Sequence, residues 1–336
     1  MFNKLYEKIK SFIKANYKFL IFLTILIFLF YYEFPYIIYK SGGTINLEDR
    51  IEVETKYNQE GTLSMSYVTA MKGTIPFIAL SYVMPDWDLI PLEEITGKDN
   101  DYEDVLEIGK EYLNEGIDNA IISAFKAAGY GLTIKDTINK VMYISEDANT
   151  DIEIGDIVLS INNVEVENLD EVKAYVNTLN ENDIVSIQVI NNDKTYERNA
   201  KIYKDTDDSL KIGIAFKTTY DYETEIPVTV KMKDNESGSS GGFMMSLAIY
   251  NALTKDDITK GLNIVGTGTI SNDGTVGEIG GVKYKVLAAS KKDADIFMCP
   301  EANYDEAIQI KEKRDLDIEI ISVATLKDAI EYLENK

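Results

Sequence analysis

No histidine occurs in the 336 residues, and Cys299 is the only cysteine. Without histidine, a Ser-His-Asp triad, a Cys-His pair and a His-ligated zinc or non-haem iron centre are all excluded. A single cysteine excludes a disulfide within the chain. Cys299 lies in the strand-like run IFMCP and reads as a small buried core residue. Positive charge is scarce as well. Lys and Arg number 34 against 57 Asp and Glu, for a net charge of −23, and no strong basic cluster follows the first 20 residues. Nucleic-acid binding needs a positive surface that displaces counterions from phosphates, so it is not expected. A hydrolase built from this sequence around a serine must take its base from Lys, Asp, Glu or Tyr.

One long apolar run is present, FLIFLTILIFLFYY from Phe19 to Tyr32, broken only by Thr24. It falls short of the roughly 20 residues that span a bilayer. The following EFPYIIY supplies the missing length, giving an expected membrane anchor over 19–40 with Glu33 and the tyrosines at the far interface. Lys4, Lys8, Lys10, Lys14 and Lys18 precede the run against one acid, Glu7. The positive-inside rule then makes 1–18 a cytoplasmic tail and puts everything after about residue 42 outside. A cleaved signal peptide is the alternative. It is disfavoured because EFPYIIYKSGG offers no small-x-small site before Ser41.

The body beyond the anchor reads as mixed α/β (α+β). In 43–98, GTLSMSYVTAM and FIALSYVM alternate apolar and polar residues and are expected as strands. Glu103 to Gly131 carries helical periodicity through Leu113, Ile117, Ala120, Ile121 and Ala124. Over 131–204, strands surround IGDIVLSINNVEV, with an Asn-Asn turn, and a helix presents Leu169, Val172, Val176 and Leu179 on one face. That unit resembles a PDZ domain. Such domains bind extended peptides by strand addition beside the helix, and the plainer alternative is a small α+β domain without a groove. Catalytic-type features follow in 205–336.

In ESGSSGGFMMSLAIYNAL, Glu236 to Leu253, a hydroxyl-rich turn precedes a helix whose only polar or half-polar members are Ser246, Tyr250 and Asn251. That helix should be buried nearly all round. Its free N-terminal amides suit an oxyanion, and the glycines admit a substrate backbone. A serine at a helix start is also an ordinary N-cap, so this stretch alone decides nothing. The second element is NIVGTGTISNDGTVGEIGGVKYKVLAASKKDADIFMCP, read as strand, glycine-rich hairpin, helix and strand. Lys285 sits at the edge of that helix's apolar face, and Lys283 points about 200° away. Lys285 either snorkels to water or is held in an apolar site. In the second case its pKa falls and its neutral form can accept a proton from a serine. The run has no G-x-x-x-x-G-K-[ST], so it is not a phosphate loop.

GSSGGFMMSLAIYNAL followed by GTGTISNDGTVGEIGGVKYKVLAA strongly resembles the proteolytic domain of Lon-type peptidases, whose serine lies in G-P-S-A-G and whose lysine lies in G-G-x-K-x-K-x-x-A-A. With the anchor and the PDZ-like unit, the pattern is similar to membrane-anchored, PDZ-containing Lon-like proteases of bacteria. The resemblance implies Ser240 as nucleophile, Lys285 as base and Thr267 as the residue holding that lysine. It places the oxyanion and substrate at Ser239 and Gly241. Ser239 stands for the usual proline, Gly241 for the usual alanine, and Ser237 where many relatives have an acid, with Glu236 adjacent. Ser237 and Ser239 therefore stay as alternative nucleophiles.

The expectation is an ATP-independent serine endopeptidase of the bacterial cell membrane acting on extracytoplasmic polypeptides, with no cofactor or metal. The PDZ-like unit would recruit or gate substrate, and family members often form homo-oligomers. The strands of 43–130 are expected to belong to the peptidase domain, with the PDZ-like unit inserted. The rival readings are an inactive membrane-tethered PDZ scaffold and an extracytoplasmic chaperone.

Overall fold

The computed structural model describes all residues except 1, 55, 56, 58, 97–101, 146, 167, 168, 206 and 207, and omits the side chains of residues 3, 104, 169 and 170. Helix α1 (Phe2–Tyr31) is long and apolar enough over Lys4–Tyr31 to cross a membrane, and it is not buried against the rest of the chain. After Tyr32 and Glu33 the chain enters β1 (Phe34–Asn46). Here the structure corrects the sequence expectation: Phe34–Tyr39 is strand, not the far end of an anchor. Ile37 and Ile38 are buried in a sheet whose ladder satisfies their backbone groups, which isolated extended chain in a membrane would leave bare.

β2 (Thr62–Gly73) and β3 (Asp88–Pro91) flank β1 on either side, both antiparallel to it. Between them lies α2 (Ile75–Ser81), a second correction, since FIALSYVM alternates like a strand. Pro76 in the first turn presets a helical φ and cannot donate to a ladder, and β1 already occupies the edge that FIALSYVM would need. A short helix, α3 (Leu92–Thr96), leads towards α4 (Tyr102–Ala128). On α4 the periodic residues turn inward as the sequence requires: Leu113, Ala120, Ile121 and Ala124 are buried and Ile117 packs against them.

A second sheet contains β4 (Leu132–Ile144), β5 (Ile157–Ile161), β6 (Ile184–Asn191), β7 (Lys194–Lys201) and β8 (Ile214–Thr224) in the order β8-β4-β5-β6-β7, with short strands beside β5 and β7. Asn162 and Asn163 both take positive φ at the turn after β5, which asparagine tolerates better than most residues. Helix α5 (Leu169–Val176) buries Val172 and Val176 in this sheet's own core, and Leu179 packs against it. The expected role of Leu169 lies outside the described side chains.

The chain then returns to the first sheet through α6 (Gly242–Leu253), β9 (Asn263–Gly266), α7 (Val282–Ser290), β10 (Ile296–Pro300), α8 (Tyr304–Arg314), β11 (Glu319–Val323) and α9 (Leu326–Asn335). Its order is β11-β10-β9-β2-β1-β3, so strands from 34–91 and 263–323 share one sheet. β9 is parallel to both β2 and β10. Period-2 alternation splits β10 between two cores. Ile296 and Met298 join the cluster of α4, α6 and α9, whereas Phe297 and Cys299 join that of α7 and α8. In α6 every residue but Tyr250 is buried, as its apolar composition demands.

Candidate active site

The serine turn is laid out by contacts from distant parts of the chain. Arg50 grips the Glu236 carboxylate with both terminal nitrogens, at 2.7 and 3.3 Å, and also donates to the Lys231 carbonyl. Glu236 in turn accepts from the Lys233 N–H at 2.7 Å. The acid beside the serines is thus committed to fixing the start of the loop. Gly238 adopts φ +91 and donates its N–H to the Gly109 carbonyl of α4 at 2.7 Å. A Cβ on Gly109 would come within 3.1 Å of Ser237 Cβ, and one on Gly116 within 3.3 Å of Ser239 Cα. Two glycines seven residues apart on one helix face therefore let the turn lie flat on α4. Neither glycine was singled out from the sequence; a glycine inside a helical pattern can signal close approach, but not of which segment.

Ser240 ends the turn, half-buried, just before α6. Its carbonyl accepts from the Gly268 N–H at 2.8 Å and from Thr267 Oγ1 at 3.0 Å. The amides of Ser240 and Gly241 have no acceptor among the described residues. Gly241 faces Met65 of β2, whose sulfur lies 2.4 Å from where a Cβ would be, so the alanine of the related motif would displace that side chain. Ser239 lies half-buried against α4, and Ser237 is exposed.

Lys285 projects from α7, only 3% exposed, and donates to Thr267 Oγ1 at 3.1 Å. Burial lowers its pKa to about 8, because the ammonium loses water and gains only one neutral partner. Thr267 is fully buried, and its hydroxyl links the Lys285 amine to the Ser240 carbonyl. No hydrogen bond joins Ser240 Oγ to Lys285 Nζ among the described residues. Lys283 is directed elsewhere, paired with Asp88 at 2.6 Å. The single cysteine, fully buried, has its thiol pKa raised by burial to about 12 and is chemically inert.

Above this chain opens a cleft of about 920 Å³ that reaches Ser240 and Gly241 at one end and is lined by Met65, Leu113, Met232 and the Ser66–Ala70 stretch of β2. β9 pairs with β2 only through Thr62–Met65, so beyond Met65 that edge of β2 has no strand partner among the described residues. The floor is apolar near the serine, and the open edge has backbone groups free to pair. No group of side chains suited to a metal occurs among the described residues.

Residues 200–335 match the model of the Lon protease (S16) C-terminal proteolytic domain, and residues 124–202 match the PDZ domain. The Lon protease of Clostridioides difficile is 36% identical over 129 residues, 36% of this chain and 16% of that protein. The Lon protease of Campylobacter concisus is 34% identical over 112 residues, 33% of this chain and 13% of that protein. The chain therefore spans only a small part of these curated relatives. Among solved structures, the PDZ domain of the SdrC-like protein from Listeria monocytogenes is 22% identical, with a TM-score of 0.21, covering 23% of this chain and 85% of that one.

Proposed function

From a chain that carries a serine protease domain of the Lon family over 200–335 and a PDZ domain over 124–202, we propose a membrane-tethered, nucleotide-independent serine endopeptidase with a Ser240–Lys285 dyad. The observation that carries the proposal is the buried amine of Lys285, held by Thr267, which in turn holds the Ser240 carbonyl at the end of an open cleft. Neutral Lys285 takes the proton of Ser240 Oγ as that oxygen attacks a peptide carbonyl, then delivers it to the departing amine. The free amides of Ser240 and Gly241 receive the developing oxyanion. Water then releases the acyl group, with Lys285 again as base. Catalytic hydrogen bonds of this kind tighten in the substrate complex, where Ser240 Oγ and Lys285 Nζ are expected to pair.

The substrate is an extended polypeptide that adds to the open edge of β2, which limits cleavage to accessible segments. Helix α1 tethers the chain, with its lysine-rich end cytoplasmic and the catalytic body on the opposite side. Peptide recruitment falls to β8, the edge strand of the second sheet. Ile212 and Ile214 share a core there with Val172 and Val176 of α5. The test compares new protein N-termini outside cells carrying wild type, Ser240→Ala or Lys285→Ala. Termini lost in both variants identify the substrates. Identical termini in all three, with a phenotype on deletion of the chain, would favour the inactive scaffold instead.

A further inference from the structure

From Gly73 to Pro85 the sequence has no charged side chain, in a chain that is 27% charged. Beyond Gly73 the structure buries none of this stretch. Phe77 is 39% exposed, Leu80 40%, Tyr82 80%, Val83 72% and Met84 43%, and α2 contains no buried residue. Contiguous exposed apolar side chains of this kind mark a surface that is covered in the working protein.

Register places the patch. The apolar helix α1 ends at Tyr31, and β1 begins at Phe34, so the sheet starts almost where the helix stops. The aromatic rings continue across the joint, Phe28 on Tyr32 at 4.7 Å and Tyr32 on Phe34 at 4.8 Å. Gly73, the last residue of β2, pairs directly with Phe34, and Tyr36 pairs with Pro91 of β3. The β2–α2–β3 connection therefore leaves the sheet at the end nearest α1, where α2 packs against α1, and rejoins it at Asp88 opposite Tyr39. Trp87 closes the connection, with its ring 6.4 Å from Phe77 and Lys40 Nζ 4.9 Å above it. Charged groups form the rim: Lys72 with Glu33, and Arg314 with Asp86. Aromatic rings between an apolar patch and a charged rim are the side chains that settle at a membrane–water boundary.

We infer that Phe77–Trp87 seats the catalytic body in the interfacial layer of the same membrane that α1 crosses. The inference rests on the tether reading of α1. Continuity with that span selects a bilayer over a second copy of the chain as the occupant. Seating is driven by apolar contact, because the body is strongly acidic, so it is insensitive to salt.

Trp87 is the only tryptophan, so the native chain reports on its own patch. The full chain is reconstituted in phosphatidylcholine vesicles with lipids brominated either near the glycerol or near the chain ends. The expected result is strong loss of Trp87 fluorescence with shallow bromines, weaker loss with deep ones, at low and high salt alike. The double variant Tyr82→Asp, Val83→Asp should lose the quenching yet stay with the vesicles after alkaline extraction. Unquenched Trp87 in a wild-type chain that resists extraction overturns the seat and leaves the tether standing. A chain stripped off by alkali overturns both. Unquenched Trp87 together with an oligomer that dissociates in the double variant assigns the patch to a protein contact instead.

Discussion

An ammonium group with one hydroxyl for company, among the apolar side chains packed around α7, is poorly stabilised in its charged form. That places the base of the proposed reaction close to working pH. The kcat/KM profile should rise with pH through a midpoint near 8, the value to which burial brings Lys285, and Lys285→Arg, which cannot deprotonate, should be inactive. The same group marks stability. Its folded pKa lies below the ordinary value of 10.5, so between about 8 and 10.5 the native chain binds fewer protons than the unfolded one and stability rises with pH. Lys285→Met should remove that rise and be the more stable chain at pH 7, as denaturation across pH would show. Thr267→Ser should keep activity, and Thr267→Val should lower kcat by about tenfold or more, since it strips Lys285 and the Ser240 carbonyl of a shared partner. Ser240, Thr267 and Lys285 could be singled out as candidates because each sits in a short, glycine-marked motif that resembles the Lon-type pattern, and the fold links them through hydrogen bonds. Arg50 was not, because its partner Glu236 is remote in the chain and only the folded register brings the two together.

At the scale of elements, the turn that carries Ser240 owes its position to the smooth face of α4. Gly109→Ala with Gly116→Ala should raise helix propensity by about 1 kcal/mol per site while pushing Ser237 and Ser239 outward. The expected outcome is an undiminished melting temperature with kcat lowered by about tenfold to a hundredfold, since small displacements of reacting groups are costly. The strands and helices of the C-terminal part were readable from period and punctuation: NIVG, the glycine hairpin, α7 and IFMCP fall where the pattern puts them. FIALSYVM was misread because eight residues fit either period, and Pro76 with the occupied edge of β1 decides for helix over its first part. Phe34–Tyr39 was misread because a buried strand and the end of a span have the same composition, and only the pairing with β2 and β3 distinguishes them.

Across the whole molecule, the two sheets are joined through α4. The long antiparallel pair of β4 and β8 leans on it through Lys217 with Glu111 and Tyr222 with Asp118, and the Tyr220 hydroxyl accepts from Asn272 in the glycine-rich hairpin of 269–277. Lys217 is nearly buried, and it holds the Glu111 carboxyl below its usual range. Lys217→Met should therefore loosen the arm and increase amide exchange in α4 while leaving the core of the second sheet protected. This route from β8 to the serine turn was not visible in the sequence, since it depends on which face each long element turns to its neighbour. The mixed α/β class was visible, because the longer elements keep in the fold the period their sequence shows.

The most direct test is cleavage of an unstructured polypeptide by the purified full-length chain in lipid nanodiscs, without nucleotide, for wild type, Ser240→Ala and Lys285→Ala. Steady turnover by wild type and loss of at least about 10²-fold in both variants are expected. Cleavage by Ser240→Ala at the wild-type rate would contradict the dyad.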